Sequence, residues 1–196
     1  MLRKAFYPQL ESSLNQWAGF FQKKGFTPNQ LTLAGLALNF IAGWIYSSGH
    51  FFLGGLVMLL AALGDMLDGP LARLTGKSSK FGAFLDSTVD RYSDFFLFGG
   101  LTLYFSNQNE TGWLFITLGI ILGAYVTSYT KARAENLIES CDVGVFERPE
   151  RIIGLALLSF FSVLMPLLLW VLFIGTNATA LHRILHTRSR LSESSS

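Results

Sequence analysis

The sequence predicts an all-α integral membrane protein, with six transmembrane helices preceded by an N-terminal amphipathic helix lying in the membrane interface. Three observations predict it. The chain of 196 residues is 51% hydrophobic and only 14% charged, rich in apolar residues and poor in charge for a water-soluble domain. Six apolar segments follow one another at roughly 31–47, 51–74, 82–106, 112–138, 151–165 and 167–186, and a span needs about 20 residues. When six spans are drawn, all 15 Lys and Arg fall towards one side of the membrane.

The first element covers residues 1–26. Leu2, Phe6, Leu10, Leu14, Trp17, Phe20 and Phe21 recur at helical spacing with Lys, Gln, Asn and Ser between them. That is the pattern of a helix resting on a bilayer, a soluble capping helix being the alternative. Gly25 to Asn29 then break the chain, and residues 27–190 form the six-helix domain. The division between the fifth and sixth segments rests on Met165-Pro166. Residues 191–196 form a polar tail, expected to be disordered from Ser192 to Ser196.

The basic residues orient the spans. Arg3, Lys4, Lys23 and Lys24 lie at the N-terminus, and Arg73, Lys77, Lys80 and Arg91 bracket the second loop. Lys131, Arg133, Arg148 and Arg151 bracket the fourth loop, and Arg183, Arg188 and Arg190 lie near the C-terminus. The opposite loops, near Ser47–His50, Ser106–Gly112 and Met165–Pro166, carry none. Positive residues mark the cytoplasmic side, so both termini are expected there, in a multi-pass protein of the cell (plasma) membrane. One cysteine, Cys141, excludes an intramolecular disulfide framework. The first 30 residues lack the long apolar run and cleavage site of a secretory signal. No nucleic-acid-binding motif is present, so the expected surroundings are a phospholipid membrane and not nucleic acid.

Within this apolar chain lie Asp65, Asp68, Asp86 and Asp90. An ionisable residue in a membrane segment is costly and marks a functional site by default. Asp65 and Asp68 share one face of the second apolar helix, and Asp86 and Asp90 share one face of the third. The loop between, Leu74 to Lys80, is short, so the two acidic faces can meet. Four carboxylates in one pocket repel unless cations neutralise them. All-oxygen ligation suits Mg²⁺, Mn²⁺ or Ca²⁺, whereas zinc calls for Cys or clustered His. Two such ions would form the clamp used in displacement at phosphorus. Gly69, Ala72 and Gly82 leave room beside the carboxylates, for a ligand or for close helix approach. Arg73 matches phosphate geometry, or neutralises an aspartate.

The whole string reads Asp65-x-x-Asp68-Gly69-x-x-Ala72-Arg73, eight residues, then Gly82-x-x-x-Asp86-x-x-x-Asp90. It resembles the signature of the CDP-alcohol phosphatidyltransferases at every fixed position. Three further strings resemble the phosphatidylinositol phosphate synthase branch of that family: Ser128-Tyr129-Thr130-Lys131-Ala132-Arg133-Ala134-Glu135, Glu147-Arg148-Pro149-Glu150-Arg151, and Asp86 through Asp90-Arg91-Tyr92-Ser93-Asp94. Phosphatidylglycerophosphate synthases usually carry Lys after the last aspartate, where this chain has Arg91.

The resemblance implies a reaction in which an alcohol hydroxyl attacks the β-phosphorus of a CDP-linked lipid and CMP leaves. It implies metal ligation by Asp65, Asp68, Asp86 and Asp90, with two ions of Mg²⁺ or Mn²⁺, and Asp90 as general base. It implies Gly69, Ala72 and Arg73 at the CDP diphosphate, and Asn29, Gln30, Leu31, Thr32 and Ser79 near the nucleotide lipid. It also implies a homodimer.

The cations beside the fourth loop point to an acceptor that itself carries phosphate, with Ser128, Lys131, Arg133, Arg148, Arg151 and Arg183 as candidate contacts. Inositol 1-phosphate fits, and so does glycerol 3-phosphate. The bland reading is that these cations touch anionic lipid headgroups. A different class, a cation transporter, would place acidic groups at the midplane and beyond; here they gather at one face.

Overall fold

The structure, a computed structural model, describes the backbone of residues 2–194 and the side chains of residues 13–193. Every regular element among the described residues is helical: α1 (Leu2–Lys23), α2 (Pro28–Ser47), α3 (Phe51–Leu74), α4 (Lys80–Asn107), α5 (Thr111–Ala134), α6 (Arg148–Phe160) and α7 (Met165–Ser194), with a 3₁₀ turn at Ser162–Leu164. The chain forms two compact units, one running to Gly100 and the other from Leu101 onward.

In the first unit, α2 packs along α3, and α1 packs on α3. Leu14 and Ala18 of α1, Leu31 of α2, and Leu67 and Leu71 of α3 form one buried cluster, with Phe21 against it. The apolar stripe of α1 is therefore divided: Leu14 faces protein, while Trp17 and Phe20 are 60% and 50% exposed. The side chains of Leu2, Phe6 and Leu10 lie outside the described residues.

Local chemistry explains the boundaries. Thr27 caps α2: its N–H donates to Gln30 Oε1 at 2.9 Å and its hydroxyl accepts from the Gln30 N–H at 3.4 Å, with Pro28 opening the helix. This reciprocal box satisfies donors that a helix start leaves orphaned. At the end of α3, Gly76 takes φ +65° while Lys77 N–H bonds Ala72 O at 2.9 Å. This glycine stop satisfies an end carbonyl. Asn109 ends α4 the same way at φ 58°, with Glu110 N–H on Phe105 O at 2.9 Å. Higher in the first unit, a Cβ on Gly43 would strike the Phe96 carbonyl, and one on Gly100 would strike Gly43 itself. The two glycines let α2 and α4 touch backbone to backbone.

In the second unit, α5 and α6 each pack on α7. Thr127 donates to Thr176 O at 2.9 Å, and Asn177 donates to Gly119 O at 3.2 Å. Buried hydroxyls and amides of this kind serve as interhelical contacts where no water competes.

Among the described residues, three stretches are long and apolar enough to cross a membrane: Phe51–Leu74, Thr111–Ala134 and Ser162–Glu193. Several expected boundaries move. The fourth segment, expected to run to 138, stops at Ala134, and a loop leads to Glu147. α6 has 13 residues and ends at Phe160, short for a span. Met165-Pro166 opens α7 instead of separating helices, because a proline is accommodated in a first turn. α7 continues through Ser194, so the tail expected to be disordered is helical from Ser192 to Ser194; residues 195 and 196 lie outside the described residues.

Candidate active site

The first two turns of α2 set one wall of the site. Thr32 is buried, and its hydroxyl lies 2.8 Å from Asp68 Oδ2 and 3.1 Å from the Pro28 carbonyl. One proton serves both, and the carboxylate is the stronger acceptor. One turn on, a Cβ on Gly35 would strike Asp65 Oδ1. The bare glycine is the clearance that lets Asp65 lie against α2. Asp65 and Asp86 both act electrostatically on Asp68, so Asp86 of α4 lies within electrostatic reach of the acidic face of α3. Asp90 lies one turn beyond Asp86, with Arg91 Nη2 3.5 Å from its Oδ2.

The donor set fits a hard divalent cation: carboxylate oxygens of like charge, a neighbouring hydroxyl, and a cradle that a methyl group would fill. The carboxylates are not clenched, however. Among the described residues, no group of three or more His, Cys, Asp or Glu is gathered closely enough to hold a metal ion.

The other expected nucleotide-lipid residues separate into groups. Arg73 Nη1 lies 3.7 Å from where a Cβ on Gly69 would stand, so this pair is brought together, with half-buried Ala72 on the same helix. Ser79 accepts the Gly82 N–H at 3.0 Å and thereby caps α4. Asn29 Oδ1 lies 3.8 Å from the Cβ position of Gly82, so Asn29, Ser79 and Gly82 also converge. Gln30 is engaged in the cap of α2, and Leu31 is 6% exposed in the core cluster; their side chains are structural here. Gly35 was not singled out by sequence. Its signal was faint: Thr32, Gly35 and Asn39 mark one small and polar face on an apolar helix.

The expected acceptor residues lie in the second unit, where the cations are largely matched. Arg183, 2% exposed, donates to Val143 O at 2.9 Å, Thr127 O at 2.7 Å and Glu147 Oε1 at 2.6 Å. Those three donations tie α7 to α5 and to the loop before α6. Lys131 Nζ lies 3.0 Å from Asp142 and 3.8 Å from both Glu135 and Glu147. Arg151 is buried, with Nη1 3.4 Å from Phe146 O. Arg148 is half-buried at the head of α6. Ser128 bonds the Ala124 carbonyl one turn back. Arg133 opens instead onto a groove of about 380 Å³, shared with Tyr129, Leu137, Thr187 and Arg188. Sequence offers Glu147 to the arginines in general; that it holds Arg183 in particular is decided by the loop path.

Comparisons with known proteins agree with this architecture. Residues 26–182 match the family described as CDP-alcohol phosphatidyltransferase. A phosphatidylinositol phosphate synthase of Streptomyces avermitilis is 35% identical, over 97% of this chain and 82% of that one. An archaetidylinositol phosphate synthase of Pyrococcus horikoshii is 36% identical, over 85% of this chain and 90% of that one. Among solved structures, the Mycobacterium tuberculosis phosphatidylinositol phosphate synthase with CDP-DAG bound superposes with TM-score 0.81 at 32% identity, covering 89% of this chain and 92% of that one. The same enzyme in complex with manganese and citrate also gives TM-score 0.81, covering 89% and 88%. A family match across most of the chain, together with relatives at this identity over nearly full length, settles the assignment: the chain belongs to the CDP-alcohol phosphatidyltransferase family.

Proposed function

We propose that the protein transfers a phosphatidyl group from CDP-diacylglycerol to inositol 1-phosphate, giving phosphatidylinositol phosphate and CMP. The observation that carries this reading is the intact aspartate string on α3 and α4, set against Thr32 and Gly35 of α2. The names of the relatives support the substrates, and the mycobacterial structure in complex with manganese and citrate supports a divalent metal as a ligand.

Asp65, Asp68, Asp86 and Asp90 would hold two divalent ions, Mg²⁺ or Mn²⁺. Such ions supply Lewis-acid neutralisation of the diphosphate as charge builds on the departing CMP. The chain's own residues do the rest. Thr32 steadies Asp68. Arg73, folded over Gly69, meets the diphosphate. Asn29 and Ser79 border the nucleotide. Asp90 takes the acceptor hydroxyl proton while the new O–P bond forms and the bond from phosphorus to CMP breaks. The acceptor phosphate falls to Lys131, Arg133 and Arg148, with Ser128 and Arg151 nearby. Arg183 acts by holding Glu147 and the loop.

The same reading places six crossings in the plasma membrane, with α1 in the interface and both termini and the aspartates on the cytoplasmic side. It makes the working unit a homodimer. The domain spans residues 27–190.

The test is direct. Purified protein in lipid receives CDP-diacylglycerol, Mg²⁺ or Mn²⁺, and in turn inositol 1-phosphate, glycerol 3-phosphate and free inositol, with CMP release measured. Release with inositol 1-phosphate alone is expected. Release with glycerol 3-phosphate would change the acceptor, and none with any alcohol would overturn the enzyme reading.

A further inference from the structure

Among the described residues of the first unit, Asn39 Oδ1 and Ser93 Oγ are buried polar atoms with no hydrogen-bond partner. Their residues are 2% and 1% exposed. Leaving such an atom unpaired forfeits its hydration with nothing in return, so each calls for a reason.

Their places in the fold supply one. Asn39 lies one turn beyond Gly35 and two beyond Thr32, on the face of α2 that meets Asp65 and Asp68. Ser93 lies one turn beyond Asp90 and two beyond Asp86, and Asp86 acts on Asp68. One turn further along, α2 and α4 touch. Gly43 abuts the Phe96 carbonyl, and the rings of Phe40 and Phe96 lie 5.1 Å apart. The two helices leave the site in parallel, so one turn back from that contact Asn39 and Ser93 share a level. On α3 the neighbouring position is Ala61, fully buried, whose small side chain takes little of that space.

Ser93 also behaves unlike other helical serines. Ser87, Ser128 and Ser159 each bond the carbonyl one turn back, the usual refuge of a helical hydroxyl. The Ser93 hydroxyl forgoes that bond. Asn39 Oδ1 can only accept and the Ser93 hydroxyl can donate, yet neither serves the other. They are therefore separated by more than a direct hydrogen bond.

We propose that Asn39 and Ser93 are positioning residues for the aspartate cluster, joined by one shared buried water that forms the floor beneath the carboxylates. The water donates to Asn39 Oδ1 and accepts from Ser93. That leaves its second proton for a carboxylate on the same face of α4. Buried waters in polar sites make about three such bonds. Outer partners of this kind fix the orientation of metal-ligating carboxylates, and losing one typically costs about 10–100-fold in metal affinity. The proposal rests on the metal-binding reading above.

Mn²⁺ binding to the full chain in detergent, read by electron paramagnetic resonance, tests it alongside thermal unfolding and turnover. Asn39→Leu and Ser93→Ala are each expected to weaken Mn²⁺ binding by about 10–100-fold, with turnover recovering in excess Mn²⁺. Ser93→Thr, which keeps the hydroxyl, should bind like the parent. General damage to the fold would not be repaired by metal. Parental Mn²⁺ affinity in Asn39→Leu together with a raised melting temperature would overturn the proposal, since the amide would then be only an uncompensated polar group. Should Asn39→Leu fail to fold, Ser93→Ala carries the same comparison. If the parent protein itself binds no Mn²⁺, the metal reading falls and this proposal with it. A parent that binds and variants that match it sink the floor alone.

Discussion

The two units handle charge in opposite ways. In the first, like charges are gathered: Asp68 feels Asp65 and Asp86, and the scaffold holds them through the Thr32 hydroxyl and the clearance at Gly35. In the second, opposite charges are matched, with Glu147 beside both Arg183 and Lys131 and Asp142 beside Lys131. Gathered like charges raise the energy of the fold and gain meaning from a cation that offsets them. Matched charges centred on one nearly buried guanidinium hold the fold itself, and removing its partners leaves that group uncompensated. Substitutions in the first unit should therefore move activity and metal binding before stability, and those in the second should move stability first.

The largest expected effect tests the first half of that contrast. Asp90→Asn removes the proposed base while keeping size and most contacts. Turnover should fall by about 10²–10⁴-fold, with CDP-lipid binding retained and the melting temperature little changed. CMP release and lipid-binding titrations check it. Loss of lipid binding together with turnover would recast Asp90 as chiefly a metal ligand.

Arg183→Met tests the second half. It deletes three hydrogen bonds from a nearly buried guanidinium. At about 1 kcal/mol per bond, roughly 3 kcal/mol of stability should be lost. The Glu147 carboxylate left behind is 46% exposed on its side chain, so water takes up part of its loss and larger values are not expected. Denaturation in detergent measures it. A variant of unchanged stability but poor affinity for the phosphorylated acceptor would make Arg183 a ligand after all and blur the contrast.

Gly35→Ala returns to the first unit with a smaller change. The added methyl group would displace the Asp65 carboxylate, and Mn²⁺ affinity should drop by about 10–100-fold while the helices remain folded. Calorimetric Mn²⁺ titration checks it. Normal Mn²⁺ binding in a folded Gly35→Ala protein would show that Asp65 has a different place when metal is bound.

What sequence could read follows from distance along the chain. The aspartates are spaced by helical turns on two helices joined by a short loop, so the nearness of Asp65 and Asp86 to Asp68 was legible from periodicity. Gly69, Arg73 and Ser79 were named through the family resemblance, and the capping of α4 by Ser79 at Gly82 was seen only in the structure. Gly35 was not legible, because its partner Asp65 sits on another helix and only three-dimensional clearance reveals the glycine's use. The linkage of Arg183 to Glu147 depends on the path of residues 135–147, which no periodicity fixes. The start of α7 was misplaced because Met165-Pro166 reads as a break, although a proline also opens helices.

The smallest expected effect sits where capping and chemistry share a turn. Thr27→Ala removes the hydroxyl that accepts the Gln30 N–H, and the typical loss is about 1 kcal/mol. That first turn of α2 carries Asn29 and leads directly into Thr32, so its fraying would let the Thr32–Asp68 bond lengthen. Turnover should therefore drop a few-fold more than the small loss of stability explains, and Thr27→Ser, which keeps the cap, should restore it. Equal small losses in Thr27→Ala and in a cap variant of the second unit would mean that α2 serves only as scaffold. The difference between the two units would then lie in α3 and α4 alone.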